Sequence, residues 1–281
     1  MTSVESRKGF LDLLRIVACF LVIVNHTNST IFLSTTPENL RWFVSLTYFF
    51  VSKIAVPIFF MISGYLLLNR IDTWKKTCGR ILRIAIILII CGVAYATYRA
   101  LRNPDISFFK VIQDSLTVYS DSPTNALWYL YTYLGILFML PFLQKMTYMM
   151  KKSDYHIFFV ISGFFVSVLP ILNHYLPIIR CNVDFQLPLF GGYLCMLLIG
   201  QYFSRFGVKN TKCGFVISCV LFVLMLVFNV IATFFEYNKS NTDYLFFDNR
   251  IYLPILLQSV CIFYIASFIR IPEKYAKIIS Y

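Results

Sequence analysis

The chain has 281 residues, of which 59% are hydrophobic and only 14% are charged, yet its formal net charge is +12. An average soluble domain is about 25% charged, so a soluble enzyme of this composition would expose too much apolar surface. The 29 Phe and 19 Tyr residues exclude a disordered chain. Long uncharged stretches exclude a basic nucleic-acid-binding protein. These exclusions leave an all-α fold, a polytopic bundle of transmembrane helices in a lipid bilayer.

Eight segments are apolar over lengths near the roughly 20 residues that a helix needs to cross a bilayer. In chain order they cover residues 12–33, 45–68, 81–101, 124–144, 156–176, 186–204, 213–235 and 251–269. The first follows Arg7 and Lys8 as the apolar part of a signal peptide would, but it lacks a small-residue cleavage site and carries charged residues. We therefore predict a retained helix, and we treat residues 1–281 as a single integral membrane domain.

The distribution of charge predicts the orientation of the bundle. If the segments alternate in direction from a cytoplasmic N-terminus, 17 of the 25 Lys and Arg residues fall on the cytoplasmic side, with 5 of the 13 acidic residues. An excess of Lys and Arg in cytoplasmic loops is typical of membrane proteins. We predict a multi-pass protein of the inner or plasma membrane whose N-terminus is cytoplasmic and whose net charge of +12 lies on that side.

The eight cysteines predict neither a disulfide scaffold nor a metal centre. No C-x-x-C pair occurs, and no histidine lies at a metal-ligand spacing from a cysteine. Most of these cysteines lie within apolar segments, where a thiol packs as a small apolar group. We expect no metal cofactor.

The first apolar segment, FLDLLRIVACFLVIVNHTNS, carries ionisable side chains in a membrane, where they are expensive. Asp12 and Arg15 are three residues apart, so they can pair on one helix face. Arg15 and His26 are eleven residues apart, which places them on one stripe of a helix about 16 Å apart along its axis. The functional hypothesis is that Arg15 holds an anionic ligand near the cytoplasmic surface and that His26 accepts a proton deep in the bundle. The alternative, that both side chains merely extend to lipid headgroups, is favoured for Arg15 taken singly but not for the aligned set.

The second and third segments add two further motifs. Ser63 and Gly64 permit close approach of another helix, with substrate binding by Ser63 as the lesser alternative. Lys53, in the same segment, is expected to extend to the membrane surface. Arg80 and Arg83 lie three residues apart on one face of the third segment, where paired guanidinium groups can bind phosphates. The alternative is an ordinary cytoplasmic anchor, which explains Arg83 less well because Arg83 lies inside the apolar run.

The fourth segment begins with aromatic residues that include Trp128 and Tyr129. They fit an aromatic belt at the membrane surface, which is the safer interpretation, or a platform that stacks on a sugar. The predicted outer loops, about 102–122 and 236–250, combine acidic, amide and aromatic residues. That composition suits a carbohydrate ligand and equally suits a solvated loop.

Four of these motifs together resemble the membrane acyltransferase-3 family. They are the spacing from Arg15 to His26 preceded by LDLLR, the string VPIFFMISGYLL at Val56–Leu67, RILR at Arg80–Arg83 and LWYL at Leu127–Leu130. The resemblance implies an integral membrane O-acyltransferase of ten helices. Such an enzyme takes an acyl group, commonly acetyl, from cytoplasmic acyl-coenzyme A. It delivers that group to a hydroxyl of a polysaccharide of the cell envelope, another surface glycan or a lipid-linked sugar.

The resemblance also implies roles for individual residues. His26 would be the catalytic imidazole with Arg15 as its partner, and Arg80 and Arg83 would lie near the phosphates of the donor. Weaker candidates for substrate binding are Asp12, Ser63, Trp128 and Tyr129. The chain departs from the family at Ala126, where many relatives carry a histidine. It also shows eight of the ten expected helices, so we expect the domain to be incomplete at its C-terminus.

Two other function classes stay open. A transporter or flippase is suggested by charges within the membrane and by Pro57 inside a predicted helix, although the sequence shows no convincing inverted repeat. The near-repeat IFFMISG at 58–64 and IFFVISG at 157–163 has no matching flanks, and we attribute it to chance. An inactive, truncated acyltransferase fragment is the third hypothesis, because of the missing helices.

Overall fold

The computed structural model describes residues 9–27, 30–103, 109, 127–176, 192–207, 209–240 and 245–269, and all regular structure within them is helical. These residues form eight helical stretches, one for each predicted apolar segment. The helices are α1 (Gly9–His26), α2 (Leu40–Lys53), α3 (Ala55–Leu67), α4 (Trp74–Arg102), α5 (Trp128–Met149), α6 (Lys152–Ser162), α7 (Leu169–Tyr175), α8 (Gly192–Phe206), α9 (Lys212–Ser240) and α10 (Leu253–Ala266). The predicted all-α polytopic bundle is confirmed.

Six helical stretches of the described chain are long and apolar enough to cross a membrane by length and composition. They cover Gly9–Ser34, Leu40–Leu67, Trp74–Arg102, Lys152–Tyr175, Lys212–Lys239 and Phe246–Ala266. Large apolar side chains lie exposed along two of them, such as Ile86 and Ile90 on α4 and Val220 and Leu224 on α9. Exposed apolar surface of this extent is expected only where lipid covers it. The protein is therefore a multi-pass membrane protein.

The second predicted segment is interrupted shortly before Pro57. Helix α2 ends at Lys53, Ile54 forms a turn, and α3 begins at Ala55, so Pro57 lies in the first turn of α3. Proline has no N–H, and its ring clashes with the carbonyl four residues earlier, which here belongs to Lys53. The break resolves that clash. Ile58 N–H still donates to the Ile54 carbonyl at 3.1 Å, so the two helices form one span.

The chain divides into two compact units, which are considered separately below. The larger unit comprises Met1–Asn69 and Met150–Tyr281 and contains α1–α3 and α6–α10. The smaller unit comprises Arg70–Met149 and contains α4 and α5.

The centre of the larger unit is a close crossing of α3 and α8. A Cβ atom added to Gly64 would lie 1.8 Å from the Leu197 carbonyl oxygen, and one added to Gly200 would lie 1.8 Å from the Met61 carbonyl oxygen. Glycine is required at both positions because the obstructing atoms are backbone. The predicted role of Gly64 in helix approach is confirmed, and its counterpart on α8 is Gly200.

Candidate active site

Helix α1 carries the first predicted ion pair. Arg15 Nη1 lies 2.8 Å from Asp12 Oδ1, and the Asp12 side chain is buried while that of Arg15 is 42% exposed. The i, i+3 spacing places both groups on one face, so the predicted pairing is confirmed. Arg15 therefore presents a partly exposed guanidinium that Asp12 holds against the helix.

His26 is the last residue of α1, and its side chain is exposed rather than enclosed deep in the bundle as the sequence suggested. The positive charges of Arg250 and Lys53 are close enough to act on the imidazole electrostatically. Asn25, its neighbour, accepts a hydrogen bond from Ser52 Oγ at 3.0 Å, which ties the end of α1 to the end of α2. His26 is thus a surface imidazole in a positive environment, at a fixed position between two helices.

Lys53, the last residue of α2, differs from its predicted placement. The sequence predicted that it extends to the membrane surface, and this is wrong: its side chain is buried and forms an ion pair with Asp248. Its ammonium also lies 4.2 Å from the centroid of the Phe49 ring. A lysine at this depth is stable only when it is paired, and Asp248 supplies the partner.

Residues 245–252, just before α10, organise this end of the larger unit. They include the short 3₁₀ turn Phe246–Asp248. Asp248 pairs with Lys53, Arg250 acts on His26, and Ile251 accepts a hydrogen bond from Ser167 Oγ at 2.6 Å. Most of this stretch was predicted only as part of an outer loop, from its composition. The structure makes it the element that brings charge to His26.

A second histidine at a helix end was missed entirely. His174 Nε2 on α7 lies 3.1 Å from Glu236 Oε2 on α9, and Tyr175 also hydrogen bonds to that carboxylate. The available signal was Glu236 itself, because it is the sole acidic residue of the apolar helix α9. A carboxylate in such a helix requires a partner.

The smaller unit gathers its charges around Asp72, which precedes α4. The Asp72 carboxylate accepts hydrogen bonds from Arg80 at 2.6 Å and from Gln144 at 3.1 Å, and it pairs with Lys76 at 3.0 Å and Arg70 at 3.4 Å. Its side chain is 2% exposed. Burial alone would raise the pKa of Asp72, but the hydrogen bonds from Arg80, Lys76 and Gln144 and the charge of Arg70 outweigh it and hold that pKa well below its usual range.

This cluster separates the two arginines that the sequence treated alike. Arg80 is bound to Asp72, and its side chain is only 20% exposed. Arg83, one turn further along α4, is exposed, and within the described parts of the chain it forms no hydrogen bond or ion pair. The Arg80 guanidinium is therefore used in the ion pair with Asp72, whereas the Arg83 guanidinium is exposed.

The remaining predicted site residues are placed as follows. Ser63 Oγ donates to the Phe59 carbonyl at 2.9 Å, so its hydroxyl is used within α3. Trp128 and Tyr129 form the start of α5, and Tyr129 stacks on Tyr133 with ring centroids 5.8 Å apart. Ala126 and most of the predicted loop 102–122 lie outside the described residues.

Substituting Asp72 by Asn should destabilise the protein, and the loss should depend on pH. Because the folded pKa of Asp72 is lowered, its stabilisation is fully present above the unfolded value of about 3.9 and declines as the pH falls below it. At neutral pH we expect Asp72→Asn to cost on the order of 1–3 kcal/mol of unfolding free energy, since three cations lose a charged partner. Thermal unfolding in detergent measures this.

The matched control for Asp72 is Lys75→Gln. Lys75 is exposed and adjacent to Lys76 but takes no part in the cluster, so its substitution should leave the melting temperature unchanged. Equal melting temperatures for Asp72→Asn and the wild type at pH 7 would contradict the stabilising role.

Comparison with known proteins addresses the chain as a whole. The sequence profile of the acyltransferase-3 family, described as an acyltransferase domain, matches residues 8–281. No curated protein and no solved structure shows a significant match. Since the profile covers nearly the entire sequence, and since the described residues form a multi-pass helical bundle, the chain belongs to the acyltransferase-3 family and is a membrane acyltransferase.

Proposed function

We propose that this protein transfers an acetyl group from acetyl-coenzyme A to a hydroxyl of a surface glycan or lipid-linked sugar, with His26 as the catalytic base. Membership of the acyltransferase-3 family supports acyl transfer in general. The observation that carries the proposal further is the position of His26, an exposed imidazole at the end of α1 on which the charges of Arg250 and Lys53 act electrostatically.

The chemistry follows from that environment. The acceptor hydroxyl oxygen attacks the thioester carbonyl carbon, a C–O bond forms, and the hydroxyl proton passes to His26. The tetrahedral intermediate carries negative charge on the former carbonyl oxygen, and the positive charge of Arg250 can stabilise it. The C–S bond then breaks, and coenzyme A leaves as a thiolate that takes up the proton held by His26, which returns the imidazole to its neutral form. No metal is required in this sequence of steps.

The proposed orientation follows the charge distribution. The N-terminus and the basic loops lie in the cytoplasm, where coenzyme A is present, and the protein resides in the inner or plasma membrane. Within the smaller unit, the open guanidinium of Arg83 is suited to the phosphates of the donor. Within the larger unit, Arg15, held by Asp12, is a partly exposed guanidinium suited to an anionic ligand.

The deciding experiment is incubation of membranes that contain the protein with acetyl-coenzyme A labelled in the acetyl group. We expect label to appear in an isolated glycan or glycolipid fraction, and control membranes without the protein should stay unlabelled. Movement of a solute across the membrane without any acyl transfer would instead favour the transporter hypothesis.

Arg83→Ala should weaken donor binding in a way that depends on salt. We expect the KM for acetyl-coenzyme A to rise about tenfold at low ionic strength, with kcat nearly unchanged, because a single charge-assisted contact to phosphate is worth roughly 1.5–3 kcal/mol. The difference should shrink as salt screens the phosphate charge. Steady-state kinetics at two ionic strengths measure both effects.

Lys145→Ala is the control for Arg83, because Lys145 is also exposed and belongs to the same unit, so the overall charge changes equally. A donor KM that rises equally in both variants, or in neither, would argue against a phosphate contact at Arg83.

A further inference from the structure

The pair formed by His174 and Glu236 has no role in the reaction proposed above. The two residues are 62 positions apart in sequence, and their side chains meet at 3.1 Å. The Glu236 carboxylate is buried, whereas the His174 side chain is 28% exposed. Tyr175 supplies a second hydrogen bond to the carboxylate. The carboxylate is therefore fixed inside, and the imidazole lies between it and the surface.

The orientation of the His174 ring is also fixed. Phe246 stacks on it with ring centroids 3.9 Å apart and an interplanar angle of 14°. Since Nε2 faces Glu236, Nε2–H donates to the carboxylate and the neutral ring keeps its lone pair on Nδ1. Within the described chain, no residue bonds to Nδ1. In the Ser-His-Asp triad, a carboxylate likewise orients an imidazole, whose other nitrogen accepts a hydrogen bond from a hydroxyl.

This pair lies at the same end of the larger unit as His26. Phe246, which stacks on His174, and Asp248, which pairs with Lys53, belong to the same 3₁₀ turn. Phe246 and Asp248 are two positions apart, which corresponds to about 4 Å along the axis of a 3₁₀ turn. Lys53 in turn acts on His26, so one short segment connects both histidines.

We propose that His174 binds the acceptor: its Nδ1 accepts a hydrogen bond from a hydroxyl of the polyhydroxylated, carbohydrate-type substrate, and Glu236 positions the ring. A pair that served only to satisfy the buried carboxylate would need Nε2–H alone and would not require an oriented, open Nδ1. The inference rests on the proposed function and assigns the acceptor side of that reaction.

The test uses His174→Gln in the full-length protein in membranes. The Gln side-chain N–H₂ reaches the position of Nε2 and keeps the contact with Glu236, but it has no atom equivalent to Nδ1. With the glycan fraction that acquires label in wild-type membranes as substrate, we expect the acceptor KM to rise about three- to tenfold. The KM for acetyl-coenzyme A should stay unchanged.

His156→Gln is the matched control, because His156 is an exposed histidine of α6 whose ring contacts Tyr202. It should change neither KM. An acceptor KM equal to that of the wild type in His174→Gln, together with a lower melting temperature of His174→Ala, would show a purely structural pair and overturn the inference.

Two further outcomes are decisive. Absence of acyl transfer by the wild type overturns the proposed function and this inference with it. Acyl transfer by the wild type with an acceptor KM that is the same in His174→Gln overturns the inference alone. If His174→Gln does not accumulate, carbethoxylation of wild-type His174 by diethyl pyrocarbonate, followed by mass spectrometry, replaces it. Protection of His174 by the glycan fraction supports the proposal, and equal modification with and without that fraction overturns it.

Discussion

Replacing His26 by Ala is expected to lower acyl transfer about 10²–10⁴-fold, the usual contribution of a general base, while the protein still accumulates in membranes. The structural reason for normal accumulation is the position of the side chain. It is exposed at the last residue of α1, and none of the described residues forms a hydrogen bond with its ring. Truncation of this imidazole therefore opens no cavity and leaves no buried polar group without a partner.

The measurement compares transfer of labelled acetyl in membranes that contain equal amounts of wild-type and variant protein. His156→Ala, the loss of another exposed imidazole, is the control and should retain activity. Undiminished transfer by His26→Ala would remove His26 from the mechanism. A large loss that also appears in His156→Ala would indicate a general effect of histidine loss on the bundle.

The features that the sequence predicted well are those that local spacing encodes. Each of the eight predicted apolar segments corresponds to a helical stretch in the part of the chain that the structure describes, because an apolar run that must satisfy its own backbone in lipid forms a helix. The pair of Asp12 and Arg15 follows from a spacing of three residues on one helix. The break in the second span, at Ile54, lies three residues before Pro57, a residue type that disfavours the helix interior.

The features that the sequence did not predict join residues that are distant in the chain. Lys53 carries a visible charge in an apolar segment, but nothing local identifies Asp248 as its partner. Glu236, an acidic residue in an apolar helix, likewise requires a partner, but nothing local identifies His174 as that partner. Tertiary packing determines such pairs. Residues 245–252, whose composition is that of an ordinary loop, supply Asp248 to Lys53 and Phe246 to His174.

The crossing of α3 and α8 should be the most sensitive packing contact in the larger unit. Gly64→Ala or Gly200→Ala would place a methyl group within 1.8 Å of a carbonyl oxygen on the facing helix. The backbone cannot turn aside as a side chain can, so the helices must separate. We expect each substitution to cost about 1–3 kcal/mol, the usual range for overpacking, and to lower the melting temperature of the detergent-solubilised protein.

Gly135→Ala is the matched control, because Gly135 lies within α5 with no atom within 4 Å of an added Cβ. Its melting temperature should stay equal or rise, since Ala is favoured over Gly in a helix by about 1 kcal/mol. A stable Gly64→Ala protein would contradict the observed crossing.

The double variant Gly64→Ala/Gly200→Ala tests the geometry itself. The two contacts are reciprocal: Gly64 meets Leu197 on α8, and Gly200 meets Met61 on α3. A separation of the helices that accommodates one methyl group also relieves the other. The double variant should therefore be less destabilised than the sum of the single variants, as expected for substitutions that share one backbone shift. Additive losses would mean that the two glycines respond independently and that α3 and α8 do not move as rigid elements.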